Sequence, residues 1–142
     1  MDEFLNIKKI EKVIDLYVYT DGACIHNGKP NAKAGMGVFF GYSDPRNISK
    51  KVEGKQTNNT AELGAVFEAL CMITEEIKNN HNICVVTDSE YVIKCCTTYG
   101  NKCKLDNWKK DIPNKDLVKT LFTAFNNYSN LSLMHIDAHT GK

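Results

Sequence analysis

The sequence predicts an α/β domain built around a five-stranded mixed sheet flanked by helices. Three segments support this fold class. Residues 14–20 are β-branched and aromatic, residues 58–78 place an apolar side chain at every third or fourth position, and residues 83–87 form a short, continuously apolar run. These patterns are typical of a strand, of an amphipathic helix, and of a strand buried on both faces of a sheet.

The first strand is expected to end at Asp21-Gly22, because Asp-Gly is a common turn signal. Residues 22–33 are rich in Gly, Asn and Pro and are therefore predicted to form a loop. Further strands are predicted over residues 34–41, 47–53, 83–87 and 131–138. We expect the first three strands to form an antiparallel meander.

The first helix is predicted over residues 58–78, where the period of the apolar positions changes. Its apolar stripe comprises Leu63, Val66, Phe67, Leu70, Ile73 and Ile77. Two more helices are expected, over residues 89–98 and 114–128, and the polar, lysine-rich segment 99–113 is expected to be irregular. The predicted element order is therefore βββαβααβ.

Composition restricts the possible functions. With 142 residues and a net charge of +1, the chain is the size of one domain and has no strong overall attraction for polyanions, so nucleic-acid binding would need local basic segments. The six cysteines include no Cys-x-x-Cys pair, and no signal-peptide pattern or membrane-length apolar run is present. We expect an intracellular protein, cytoplasmic or nuclear, that is monomeric and does not contact a membrane.

Three carboxylates are the strongest indication of function. Asp21 and Asp88 each follow an apolar strand, and Glu62 lies near the start of the first helix. If the two strands are neighbours, these side chains meet at one edge of the sheet, where α/β proteins bind ligands. Three like charges repel each other, so cations must fill such a site, and hard divalent ions such as Mg²⁺ prefer oxygen ligands.

Each acid also has a purely structural interpretation. Asp21 is explained by a turn before Gly22, Glu62 by a capping box with Asn59, and Asp88 by capping the helix beside it. Taken singly, these interpretations are favoured. Only the combination of the three acids points to a metal site.

Five segments carry a family resemblance. Tyr19–Cys24, Gln56–Leu63 and Thr87–Ser89 resemble the successive acidic motifs of the type 1 ribonuclease H family, in order and in separation. Residues 134–141 resemble the last strand and the histidine loop of that family, and residues 34–38 resemble the second strand of its cellular eukaryotic-like members. The resemblance implies a ribonuclease H-like fold over most of the chain.

The resemblance also implies an activity. A protein of this family would be an endonuclease that hydrolyses the RNA strand of RNA–DNA hybrids with two Mg²⁺ ions, leaving 5′-phosphate and 3′-hydroxyl ends, and Mn²⁺ would be able to substitute. The implied catalytic residues are Asp21, Glu62, Asp88 and His139. The implied metal site consists of Asp21, Gly22, Glu62 and Asp88.

Substrate contacts are carried over by the same resemblance. The residues expected on the RNA side are Cys24, Asn27, Asn58 and Asn59, and those expected to grip a DNA phosphate are Lys55, Thr57 and Asn114. The remaining expected substrate contacts are Ser89, Tyr99 and Trp108. Helix capping is the structural alternative for the asparagines, and a solvated surface is the alternative for the lysine-rich segment around Trp108.

The chain departs from the family pattern at its end. Relatives carry a fourth carboxylate beyond the loop histidine, near the start of a final helix, whereas this chain ends at Lys142. We therefore expect an N-terminal extension over residues 1–13 and a C-terminally incomplete ribonuclease H-like domain over residues 14–142, without the C-terminal helix. The alternative functions are a non-catalytic module that binds RNA–DNA hybrids and a resolvase- or integrase-like DNA nuclease on the same fold.

Overall fold

The computed structural model describes residues 13–137, which form one mixed sheet covered by helices. Its strands are β1 (Leu16–Ile25), β2 (Lys33–Phe39), β3 (Ile48–Lys51), β4 (Ile83–Thr87) and β5 (Leu131–His135). Its helices are α1 (Asn58–Met72), α2 (Thr74–Lys78), α3 (Glu90–Cys96), α4 (Thr98–Leu105) and α5 (Lys115–Asn127).

The strands lie in the order β3-β2-β1-β4-β5. β1, β2 and β3 pair antiparallel, and β4 and β5 run parallel to β1. This confirms the predicted five-stranded mixed sheet and its opening meander. The parallel half pairs β1 with β4 as far as Tyr19 and Val86, so Asp21 and Asp88 each lie two residues beyond the last pair.

The core lies between the sheet and helices α1, α3 and α5. Val18 of β1 and Val85 of β4 are fully buried, as are Leu63 of α1 and Leu121 of α5. Removing apolar surface from water at about 25 cal/mol per Å² holds α1 against β1 and so fixes the position of its first turns. Phe67, which the apolar spacing places in the stripe, is instead 37% exposed.

The predicted helix over residues 58–78 is broken into α1 and α2 at Ile73. The break has a local cause. The Thr74 hydroxyl donates to the carbonyl oxygens of Leu70 and Cys71, at 3.3 and 3.1 Å, and competes with the helical backbone bonds. Ile73 stays fully buried, so the core contact survives the break.

Helix α4 lies in the segment that the sequence predicts to be irregular, so that prediction is wrong over Thr98–Leu105. Its buried residues are only Gly100 and Cys103, too few to give an apolar period. A Cβ at Gly100 would lie 2.5 Å from Cδ1 of Phe122, which shows how closely α4 packs on α5. Tertiary packing, not local pattern, specifies this helix.

Within residues 13–137, no helix is both long and apolar enough to cross a membrane.

Candidate metal centre and nucleic-acid interface

Asp21 lies in the middle of β1, not at its end. The strand continues to Ile25, so the predicted turn at Asp21-Gly22 and the predicted start of a loop at residue 22 are wrong. Asp21 pairs with Gly37 of β2, whereas pairing with β4 ends at Tyr19 and Val86. On the β4 side, therefore, Asp21 has no paired strand residue beside it, and the residue is exposed.

Gly22 lets helix α1 approach β1 next to Asp21. A Cβ at Gly22 would lie 2.5 Å from the Glu62 amide nitrogen and closer still to the Ala61 carbonyl carbon. Only a glycine lets the helix backbone approach β1 so closely. Burial raises the pKa of the Glu62 carboxyl group, and the nearby Gly22 backbone N–H opposes part of that rise.

The structural interpretations of Glu62 and Asp88 are wrong. Helix α1 is capped by Thr57, whose hydroxyl accepts from the Thr60 N–H at 3.0 Å, so Glu62 is not at the capping-box position. Helix α3 is capped by Ser89, whose hydroxyl accepts from the Val92 N–H at 3.1 Å. Neither acid is needed to end or start a helix.

The three carboxylates do meet. Asp21, Glu62 and Asp88 each offer an oxygen, and these oxygens lie within 4.8 Å of one another. Glu62 Oε1 and Asp88 Oδ1 are buried without a hydrogen-bond partner. Burial, and then the charges of Asp88 and Asp21, raise the pKa of Glu62 to about 8. Burial and the charge of Asp88 also raise the pKa of Asp21.

These residues fit a divalent metal site. Two buried carboxylate oxygens without partners are costly unless a cation binds them, and all the side-chain donors are hard oxygens of the kind that Mg²⁺ takes. Raised carboxyl pKa values are the expected result when like charges are held together with no cation between them.

We expect Gly22→Ala to destabilise the fold and to disturb the acidic cluster together. The new Cβ would clash with backbone, so helix α1 must move away from β1, at a cost of about 1–3 kcal/mol. Thermal unfolding and Mg²⁺ titration would measure the two effects. Gly35→Ala on β2 is the matched control, because a Cβ there meets only the Lys50 carbonyl oxygen at 3.6 Å. Equal behaviour of the two variants would contradict the assigned role of Gly22.

The residues expected on the RNA side lie around the entry to α1. The Asn27 Oδ1 accepts a hydrogen bond from the Asn58 backbone N–H at 3.1 Å, which joins the turn after β1 to the first residue of the helix. The Cys24 thiol contacts the Gln56 carbonyl oxygen at 3.6 Å. Asn58 and Asn59 are exposed at the start of α1.

Gln56 is an organising residue that the sequence analysis missed. Its Oε1 accepts from the Ala34 N–H at 2.7 Å, and its Nε2 donates to the carbonyl oxygens of Val52 and Gly54 at 2.7 and 3.0 Å. The side chain thus fastens the segment before α1 to strand β2. Gln56 belongs to the Gln-Thr-Asn-Asn run, but the sequence alone does not show that its side-chain amide hydrogen-bonds three backbone groups.

We expect Gln56→Ala to loosen the segment that carries the candidate contacts. Three backbone groups lose their partner, which costs about 1–3 kcal/mol of folding free energy. Hybrid affinity, measured by fluorescence anisotropy below the unfolding temperature, should fall together with stability. Gln56→Glu keeps the acceptor for Ala34 but turns a carboxylate oxygen toward the carbonyl oxygens of Val52 and Gly54, so it should destabilise the protein at least as much as Gln56→Ala. An unchanged affinity would contradict this role.

Two expected DNA-phosphate residues, Thr57 and Asn114, are joined through Thr60. The Thr57 and Thr60 hydroxyls lie 2.8 Å apart, and the Thr60 hydroxyl donates to Asn114 Oδ1 at 3.0 Å. Lys55 is exposed just before Thr57. Thr60 was also missed, because a threonine inside a helix carries no sequence signal for such a bridge.

Tyr99 and Trp108 line one cavity of about 370 Å³, with Cys103 in its wall and Lys102 and Lys110 among the other lining residues. Trp108 adopts a left-handed backbone with φ of 57° and packs edge-on against Phe122. The cavity therefore combines aromatic surface with two lysines and one acid, Asp106.

Ser89 and the two histidines near the C-terminal end of the chain differ in how they stand relative to the acidic cluster. Ser89 is buried and its hydroxyl caps α3, so its predicted substrate contact stays a prediction. His135 Nε2 lies 3.2 Å from the Asp88 carbonyl oxygen, beside the acidic cluster. His139 lies outside the described residues.

A family model described as RNase H matches residues 14–142. The chain belongs to the RNase H family. Its relatives include the Ribonuclease H of Schizosaccharomyces pombe, 38% identical over 128 residues (87% of this chain, 46% of that protein). The Ribonuclease H of Saccharomyces cerevisiae is 41% identical over 116 residues (76% and 32%). This RNase H chain spans less than half the length of these two relatives.

Solved structures support the fold. The solution structure of the PFV RNase H domain has a TM-score of 0.67 at 22% identity, covering 94% of this chain and 85% of that one. LC11-RNase H1, solved in complex with an RNA/DNA hybrid, has a TM-score of 0.58 at 22% identity, covering 89% and 88%. The α/β ribonuclease H-like fold predicted from the sequence is confirmed.

Proposed function

We propose that this RNase H family chain is an endonuclease that hydrolyses the RNA strand of RNA–DNA hybrids with two divalent ions. The cluster of Asp21, Glu62 and Asp88 carries the proposal, because two of its buried oxygens have no hydrogen-bond partner and a bound cation would neutralise them. The Ribonuclease H relatives and the hybrid complex of LC11-RNase H1 support the choice of substrate.

In the proposed reaction, a water oxygen bonds to phosphorus as the P–O3′ bond breaks. The 3′ oxygen leaves as a hydroxyl, and the phosphate stays on the 5′ end of the downstream RNA. Bound Mg²⁺, or Mn²⁺ in its place, would supply an acidic water and neutralise charge on the phosphate oxygens. The residues that would hold it are Asp21, Glu62 and Asp88, with Gly22 keeping the helix that carries Glu62 against β1.

The chain's own residues would orient the hybrid. Asn27, Asn58 and Asn59, with Cys24, would contact the RNA strand, since short amides both donate to and accept from 2′-hydroxyls. Lys55, Thr57 and Asn114 would hold a phosphate of the DNA strand, and Tyr99 and Trp108 would pack on that strand further along. Ser89 and His139 are the remaining proposed site residues. We also propose a monomer that acts in the cytoplasm or nucleus, consistent with six free cysteines.

A substrate panel tests the function. The protein with Mg²⁺ should cut a labelled RNA–DNA hybrid and leave single-stranded RNA, duplex DNA and branched DNA intact, with products carrying 5′-phosphate ends. Preference for duplex or branched DNA would overturn the proposal in favour of a DNA nuclease. Metal-independent hybrid binding without cleavage would overturn it in favour of a binding module.

A further inference from the structure

A hydrogen-bonded series of side chains links α1 to the residue before α5. It begins at the paired hydroxyls of Thr57 and Thr60 and continues from the Thr60 hydroxyl to Asn114 Oδ1 at 3.0 Å. Tyr91 of α3 interacts with the Asn114 side chain and with the fully buried Cys95. Thr60, in the first turn of α1, is only 7% exposed.

The bonds around Asn114 define which end of its amide faces which neighbour. The Thr57 hydroxyl donates to the Thr60 hydroxyl, and the Thr60 hydroxyl donates its own proton to Asn114 Oδ1. The amide oxygen is therefore taken by Thr60, which leaves the NH₂ group for other partners. The left-handed backbone of Asn114, with φ of 58° and ψ of 32°, holds the side chain at this junction before α5.

This orientation matters for an anion. An amide NH₂ has two N–H donors, of which at most one interacts with the Tyr91 hydroxyl. The second N–H can donate to a phosphate oxygen. If the amide were flipped, its oxygen would face that phosphate and repel it.

We propose that Thr60 is a positioning residue that holds the Asn114 amide oxygen and so presents the NH₂ end to a phosphate of the DNA strand. The inference rests on the proposed function, which assigns Lys55, Thr57 and Asn114 to that phosphate. Thr60 itself does not touch the substrate. It acts by deciding whether Asn114 offers a donor or an acceptor.

Thr60→Val is the first test, because valine keeps the shape and removes the hydroxyl. Binding of a short RNA–DNA hybrid, measured by anisotropy with EDTA to prevent cleavage, should weaken about 10-fold, as expected for loss of one hydrogen bond to a charged group. Thr60→Ser should restore affinity to within about twofold. Thr60→Val should not weaken binding further in an Asn114→Ala background. Wild-type affinity of Thr60→Val, or additive losses in the double variant, would overturn the inference.

Salt dependence separates positioning from general disruption. Asn114 is neutral, so Thr60→Val should lower affinity without changing the slope of log K against log salt. Lys55→Met should reduce that slope by about 0.9, because one phosphate-neutralising charge is lost. A Thr60→Val variant that also reduced the slope would show that the whole segment had moved, and would overturn the specific role of Thr60.

A further pair of variants leaves Thr60 in place, which keeps the inference testable even if Thr60→Val fails to fold. Asn114→Asp puts an oxygen where the NH₂ group stands and should bind the hybrid more weakly than Asn114→Ala. Equal affinities would mean that the NH₂ end does not face a phosphate, and would overturn the inference. A wild-type protein with no preference for hybrid over duplex DNA would instead overturn the proposed function itself.

Discussion

Asp21→Asn is expected to abolish RNA cleavage while leaving hybrid binding intact. Asparagine keeps the shape of the side chain but removes one of three charges whose oxygens lie within 4.8 Å of one another. A metal centre supplies several kcal/mol of charge stabilisation in such hydrolyses, so cleavage should fall by about 10³-fold or more. Gel assays of a labelled hybrid with Mg²⁺ would measure the rate. Anisotropy in EDTA should show binding unchanged or tighter, because a negative charge facing phosphates is gone.

Asp111→Asn is the matched control, since Asp111 is an exposed aspartate outside the cluster. It should cleave at the wild-type rate. Full cleavage by Asp21→Asn would mean that the acidic cluster is not the catalytic centre. Loss of both cleavage and binding would point to a disturbed fold, which thermal unfolding of the same sample would reveal.

The sequence was sufficient to predict most of the sheet and the acidic trio. Strand β4 is a continuous apolar run and the meander has turn-rich boundaries, so both could be recognised without tertiary information. The sequence identifies Asp21, Glu62 and Asp88 as a group because two of them follow apolar strands and the third lies near the start of a helix. Separate turn and cap roles explain each acid but not their combination. Their meeting in the structure confirms the cluster that the spacing predicted.

Other features depend on tertiary contacts that leave no local pattern. The Asp-Gly pair indicated a turn, yet Gly22 is a glycine because the backbone of Ala61 and Glu62 packs on it, so β1 continues through the pair. Helix α4 has almost no apolar period because it packs through Gly100 against Phe122. Thr60 hydrogen-bonds Asn114, which is 54 positions away in the sequence. Local secondary-structure propensities cannot predict a contact between residues so far apart in the chain.

The stability of the metal-free protein is expected to fall as pH rises from about 4.5 through about 8. The carboxyl of Glu62 has an ordinary pKa of 4.5 but, in the fold, burial and the charges of Asp88 and Asp21 raise its pKa to about 8. The folded state therefore binds this proton more tightly than the unfolded state does. The resulting stabilisation is complete below pH 4.5 and is lost as pH rises through 8. Asp21, whose pKa is also raised, contributes in the same direction.

Glu62→Gln should remove most of this pH dependence, because glutamine stays neutral. At pH 9 in EDTA the variant should be more stable than the wild type by about 1–2 kcal/mol, a modest figure because Glu62 is partly exposed and water screens its charge. Thermal unfolding would detect this as a rise of about 3 °C per kcal/mol. Glu53→Gln, an exposed glutamate outside the cluster, should leave the pH dependence of the wild type unchanged.

Mg²⁺ should reverse the effect in the wild type. A cation that binds only the folded state stabilises it by mass action, and it binds the ionised carboxylates, so the rise in unfolding temperature should be larger at pH 9 than at pH 6. Glu62→Gln should gain less from Mg²⁺ at both pH values, since one ligand is weakened. If wild type and variant differed by the same amount at every pH, with or without Mg²⁺, the charge repulsion inferred for this cluster would be wrong. In the absence of metal, Glu62 is nearly neutral at pH 6, since its pKa is about 8. Binding of Mg²⁺ at pH 6 therefore requires that the Glu62 carboxyl group release its proton at the same time.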